Sequence, residues 1–174
     1  MKFITTALDA WQLACDDASA EPAAHRLFTL EQWQAARDTW PSGLAVGVRV
    51  PNTVDIETLE EDLPRLALVA LEFPKWVDGR AYSQARTLRA RLQYEGEVRA
   101  VGDVVVDMMP LLARTGFDAV ALRAGQNQRH AERALGFFTE YYQGDVREPR
   151  PLFARHAVQV DPRRTEHQGD RRAA

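Results

Sequence analysis

Short apolar runs and amphipathic stretches follow one another along most of the chain. The run at 66–71 is almost continuously apolar, which is typical of a strand covered on both faces of a sheet. The stretches after each run carry apolar residues at helical spacing. The pattern predicts strands at 44–50, 66–71, 98–101 and 117–122, and helices at 29–40, 55–63, 83–94, 104–115 and 127–142.

Four consecutive strand–helix units indicate an α/β fold with a parallel sheet of about four βα units and helices packed on it. Four units are too few for a closed eight-unit barrel, which typically needs ~250 residues. The fold is therefore either an open doubly wound sheet or a half-barrel-like arc. Both arrangements place ligands at the carboxyl ends of the strands.

The two ends of the chain lack this periodicity. Residues 1–26 look irregular, with a loop predicted at 16–22. After Gly144 the chain becomes rich in proline and arginine. We expect a single domain at 1–144 and a polar tail at 145–174 that is flexible or loosely docked through Leu152 and Phe153.

Composition removes several classes of function. The 174 residues carry 22 basic and 25 acidic groups, for a net charge of −3, so no global field favours nucleic acid. No apolar run approaches the ~20 residues of a membrane span, and the amino terminus does not resemble a signal peptide. We therefore expect a cytoplasmic protein that binds neither membrane nor nucleic acid.

Cofactor and metal motifs are missing as well. Cys15 is the sole cysteine, which excludes an intrachain disulfide and a four-cysteine zinc or iron–sulfur site. The four histidines are scattered without metal-ligand spacing, so we expect no metal site. No glycine-rich dinucleotide or nucleotide loop is present, and the cofactor remains unidentified.

The segment 72–86, after the second predicted strand, holds the densest chemistry of the chain. Arg80 and Arg86 could bind an oxyanion at the amino end of a helix opened by Ser83 or its neighbours. Lys75 and Tyr82 are the candidate proton donors. The alternative is structural: Asp78 pairs with Arg80, and Ser83 only caps the helix.

A second group of charges surrounds the third predicted strand. Arg99 lies within that strand, where an unpaired charge would be costly, and a buried network of Arg49, Glu72 and Arg99 would satisfy it. Asp103 follows the same strand. We expect Asp103 to cap the next helix; the alternative is that it binds a ligand or orients an arginine from the strand ends.

The strings at 72–86, 99–104 and 116–119 resemble the bacterial domain-of-unknown-function family 934, over about Leu27 to Tyr142. Ala81 stands where the family pattern has glycine. Members of that family carry the label of oxidoreductases involved in sulfite reduction, a label that rests largely on neighbouring genes. The resemblance implies a role in that pathway and ligand-binding or catalytic roles for the matching residues Asp78, Arg80, Tyr82, Ser83, Gln84, Arg86, Arg99 and Asp103.

Two functions remain open. The first is an accessory or oxidoreductase-type protein of sulfite reduction, with an anion pocket in which Asp78 and Asp103 orient Arg80, Arg86 and Arg99. The second is a non-catalytic partner or maturation factor that binds sulfite reductase through the loop 73–86, because tryptophan, tyrosine and arginine dominate protein-binding hot spots. A half-barrel could also recruit a second copy, as a homodimer, to close its sheet.

Overall fold

A computed structural model describes residues 1–5, 9–14, 22–138 and 140–155 of the chain. Within these residues, seven parallel strands form a single sheet that is curled into a half-barrel with helices around it. The sheet order is β1-β7-β6-β5-β4-β3-β2, and every neighbouring pair is parallel. The strands are β1 (Lys2–Phe3), β2 (Gln12–Leu13), β3 (Arg26–Thr29), β4 (Val46–Val50), β5 (Leu66–Phe73), β6 (Glu97–Gly102) and β7 (Ala119–Val120).

The predicted α/β class and the half-barrel alternative are confirmed, and the four predicted strands correspond to β4 to β7. The count of four units is too low, because β1, β2 and β3 are missing from it. These strands have only two to four residues each, which is too short for a period-2 pattern to be recognised. Cys15 and most of the predicted loop at 16–22 lie outside the described residues.

Most helices are shorter than the sequence pattern predicts. The exception is the helix predicted at 83–94, since the α-helix Arg80–Arg86 continues directly into the π-helical turn Thr87–Arg91. The segment at 55–63 contains the short 3₁₀ helix Ile56–Leu59. The helix predicted at 127–142 ends at Ala134, two residues before Gly136, a weak helix former. In the described part of the chain, no helix is both long and apolar enough to cross a membrane. The α-helices are α1 (Leu30–Ala36), α2 (Arg80–Arg86), α3 (Met109–Thr115), α4 (Gln128–Ala134) and α5 (Leu152–Arg155).

Side chains alternate between two faces of the sheet. The convex face packs against the helices and contains the fully buried Phe73. The concave face holds a smaller cluster of Leu27, Leu68 and Ala70, covered by Trp11. The segment 9–14, predicted to be irregular, therefore fills part of the half-barrel interior.

The beginning of the predicted tail docks on α3. Arg114 Nε lies 3.3 Å from Asp145 Oδ2, and the Val146 N–H donates to the Arg114 carbonyl over 3.3 Å. Of the two expected anchors, Phe153 is 66% exposed and contacts the ring of Tyr142. Leu152 is half-buried, and its N–H donates to the Tyr142 carbonyl over 3.2 Å. The remainder of the tail, 156–174, lies outside the described residues.

Candidate functional site

Charged side chains gather at the carboxyl edge of the half-barrel. The loop 74–79 follows β5, Asp103 comes directly after β6, and Arg123 lies just beyond β7. Because parallel strands bring their carboxyl ends to one edge, these segments are neighbours in space. We use the name edge cluster for Lys75, Asp78, Arg80, Asp103 and Arg123.

Asp78 and Arg80 form a bidentate ion pair. Arg80 donates from Nε over 3.0 Å and from Nη2 over 2.7 Å to the Asp78 carboxylate. These bonds from Arg80 hold the pKa of Asp78 well below its usual range, and Asn52 acts in the same direction. Asp78 is thus ionised near neutral pH and orients the guanidinium, while Arg80 Nη1 has no partner among the described residues.

Helix α2 begins earlier than expected. The Asp78 N–H donates to the Lys75 carbonyl over 3.0 Å, and this turn makes Gly79 the N-cap and Arg80 the first helical residue. Ser83 is an exposed residue inside the helix. The expectation that Ser83 caps this helix or opens it towards an anion is therefore wrong.

Two further candidate residues on α2 point into the protein interior rather than towards the edge cluster. Tyr82 packs between Phe73 and Phe117, with ring centroids 5.1 and 6.4 Å away, and burial raises its pKa to about 12. Gln84 is buried, and its Nε2 donates to the carbonyls of Pro51 and Val54 over 3.0 and 2.8 Å. Gln84 thereby ties the loop after β4 to α2.

The three arginines expected around one anion, Arg80, Arg86 and Arg99, lie in different parts of the structure. Arg86 lies near the end of α2, about 9 Å along the helix axis from Arg80, and lines a separate cleft with Arg89 and Asp145. Arg99 is buried on the concave face of the sheet. Arg80 is thus the one member of this trio that belongs to the edge cluster.

Arg99 binds two carboxylates on the concave face. Its Nη1 lies 2.7 Å from Asp9 Oδ2, and its Nη2 lies 2.7 Å from Glu97 Oε1. The expected network of Arg49, Glu72 and Arg99 is confirmed in part, since Arg49 and Glu72 do form an ion pair. Sequence reasoning missed Asp9 because it lies far from Arg99 in a segment without periodicity.

Asp103 joins two elements of the edge cluster. Its Oδ2 accepts the Trp76 N–H over 2.9 Å, and its Oδ1 accepts from Arg123 Nη1 over 2.7 Å. The Trp76 N–H first, and then Arg123, lower the pKa of Asp103. The predicted helix cap is wrong, because the next helical turn begins only at Val106. The alternative, an aspartate that orients an arginine, agrees with the structure.

Arg123 was missed by the sequence analysis. Its position directly after the predicted strand 117–122 was the signal that could have found it. The loop beside it exposes Trp76 and Val77, which are 51% and 66% accessible. In the described part of the chain, no group of three or more His, Cys, Asp or Glu side chains is placed to hold a metal ion.

Comparison with known proteins gives one family. A search of curated proteins found no match. The sequence profile described as "Bacterial protein of unknown function (DUF934)" matches residues 47–153. The matched range is more than half of the chain; it contains the whole edge cluster and also the first part of the predicted tail. The chain therefore belongs to the bacterial DUF934 family.

Proposed function

We propose that this protein binds a small oxyanion, sulfite or sulfate, at the edge cluster and acts as a cytoplasmic accessory or oxidoreductase-type protein of sulfite reduction. The observation that carries the proposal is the pair of arginines held by aspartates at neighbouring strand ends. Arg80 is fixed by Asp78 and Arg123 by Asp103. Both side chains remain about half exposed, at 57% and 46%.

The charge balance of the edge cluster favours an anion. The cluster contains three cations, Lys75, Arg80 and Arg123, and two carboxylates, which leaves one positive charge. Each arginine keeps donor nitrogens that its aspartate does not use. Guanidinium groups with fixed orientation bind oxyanions through paired N–H donors, and the aspartates supply that orientation.

The two candidate proton donors differ in their suitability. Lys75 is exposed in the loop of the edge cluster. Tyr82 is half-buried away from it, and its pKa of about 12 is poorly matched to acid catalysis near neutral pH. If the bound anion reacts, Lys75 is the residue that can deliver a proton. The pathway itself rests on the family resemblance in the strings 72–86 and 99–104.

Thermal unfolding tests anion binding directly. Sulfite and sulfate should raise the melting temperature of the wild type more than chloride does at matched ionic strength, because a bound ligand stabilises the folded state by mass action. Arg80→Gln and Arg123→Gln should remove this gain, whereas Arg91→Gln, an exposed arginine outside the cluster, should keep it. Equal stabilisation of all four proteins would refute the site.

A second candidate function rests on the exposed Trp76 and Val77. An accessible tryptophan beside arginines is typical of a protein-binding hot spot, and the partner proposed here is sulfite reductase. Complementation of a deletion strain on sulfate as sole sulfur source separates the two functions. Growth with Arg80→Gln and Arg123→Gln but failure with Trp76→Ala would favour the partner. The reverse result would favour the anion site.

A further inference from the structure

A second cleft opens on the concave side of the half-barrel, between the carboxyl ends of β2 to β5. Its volume is about 420 Å³, within the range of roughly 300–1,000 Å³ that small-molecule sites occupy. We call it the concave cleft. It shares no residue with the edge cluster, so it is a separate site from the one proposed above.

An ion pair lines the concave cleft. Arg49 of β4 is paired in register with Ala70 of β5, and Glu72 follows two residues later on the same face. The Arg49 and Glu72 side chains bind each other yet remain 40% and 27% exposed. Among the described residues, the terminal nitrogens of Arg49 and Oε2 of Glu72 make no further bond. The ion pair thus offers free donors beside a free acceptor.

The walls of the concave cleft are largely apolar. The cleft is lined around the ion pair by Leu13, Leu27, Leu30 and Pro51. Leu13 is 60% exposed, so apolar surface is available to a ligand at the cleft entrance. Apolar walls with a few placed polar groups are the usual composition of a small-molecule site.

We propose that the concave cleft binds a zwitterionic small molecule, an α-amino acid with a compact apolar side chain. Its carboxylate binds the free nitrogens of Arg49, its ammonium group binds Glu72, and its side chain contacts Leu13 and Leu27. A simple anion fits poorly, because Glu72 already neutralises Arg49 and Glu31 adds a negative charge at the cleft. A simple amine would make fewer hydrogen bonds than the amino acid, because it has no carboxylate to accept from the free nitrogens of Arg49.

Calorimetric titration of the full chain tests this proposal. L-leucine and L-methionine are the probes, and two analogues of leucine are the controls: 3-methylbutylamine, which lacks the carboxylate, and 4-methylpentanoate, which lacks the ammonium group. At least one amino acid should bind, and each leucine analogue should bind about tenfold more weakly or worse than leucine. The proposal is overturned if neither amino acid binds, or if an analogue binds as tightly as the amino acid.

Variants locate the binding. Arg49→Gln and Glu72→Gln should each weaken amino-acid binding by about tenfold or more, while Arg91→Gln should bind like the wild type. Since loss of either partner could disturb the fold, Leu13→Trp provides an independent variant at an exposed position, where the larger ring fills the cleft. Wild-type affinity in Leu13→Trp would overturn the assignment, even if both charge variants fail to fold.

Discussion

Asp78 and Asp103 perform the same task at adjacent strand ends, since each holds an arginine with a carboxylate. Both carboxylates have a lowered pKa, because each accepts hydrogen bonds from a backbone N–H and from a guanidinium. Their charge is therefore present throughout the neutral range. Residue identity alone shows an aspartate near an arginine, whereas the hydrogen bonds show which aspartate positions which arginine.

The ionisation of Tyr82 makes the stability of the protein depend on pH. Its pKa rises from 10.0 to about 12 in the folded protein because the ring is buried. As pH rises, the unfolded chain loses the hydroxyl proton of Tyr82 before the folded protein does. The contribution of this residue to the free energy of unfolding is therefore fully present below pH 10 and is lost as pH rises towards 12. Tyr82→Phe should therefore lose less stability across that interval than the wild type does.

The measurement is urea unfolding of both proteins below and within that interval. Tyr94, whose pKa is also raised by burial, leaves a residual decrease in the variant. The free energy of unfolding must fall more steeply with pH in the wild type than in the variant. A parallel loss of stability would show that Tyr82 ionises equally easily in the folded and unfolded states.

At the scale of elements, the segment 9–14 completes the concave face of the sheet. Asp9 accepts from the Trp11 N–H over 3.1 Å and also binds Arg99. Trp11 lies so close to Gly47 of β4 that a Cβ there would be 3.0 Å from its ring. The glycine is needed because the backbone of β4 and the tryptophan ring approach each other directly.

Gly47→Val should destabilise the protein, because its side chain overpacks the space that Trp11 occupies. A cost of about 1–3 kcal/mol is expected for such a substitution. The Trp11→Ala background should reduce this cost, since the obstructing ring is gone. Denaturant unfolding of the two single variants and the double variant measures the coupling, and strictly additive effects would contradict the contact.

At the scale of the whole molecule, the buried core ends well before the tail. Within the described residues, the last buried hydrophobic side chain in sequence is Ala134. Beyond Gly144, the contacts with the rest of the fold include the bonds of Asp145 and Val146 to Arg114. The domain boundary at Gly144 stays a prediction. These contacts indicate how much stability the protein would lose if residues 145–174 were removed.

Truncation after Gly144 should leave a domain that unfolds cooperatively, with stability lower by about 1–2 kcal/mol. This estimate combines a partly exposed ion pair with the half-buried Val146 side chain. Val146→Ser in the full chain, as a milder control, should show part of the same loss in denaturant unfolding. A truncated protein without a cooperative transition would place the boundary further along the chain.

The sequence predicts where the candidate site lies in the fold, but it does not predict the geometry of the site. The rule that parallel strands present their carboxyl ends at one edge placed Lys75, Asp78, Arg80 and Asp103 correctly. It could not show that Arg123 is the partner of Asp103, because that bond joins loops after different strands. Nor could it show that Gln84 and Tyr82 face inward, since the helix starts three residues before the expected position.

The sequence by itself determined the α/β class, the strands β4 to β7 and the family. Each of these depends on local periodicity or on a contiguous string of residues. Tertiary structure alone decided that segments of two to four residues pair as the strands β1, β2 and β3. It also decided that Asp9 and Trp11 fill the half-barrel and that Arg99 lies apart from Arg80. The physical reason is that these features depend on contacts between residues distant in sequence, whose energies no local pattern encodes.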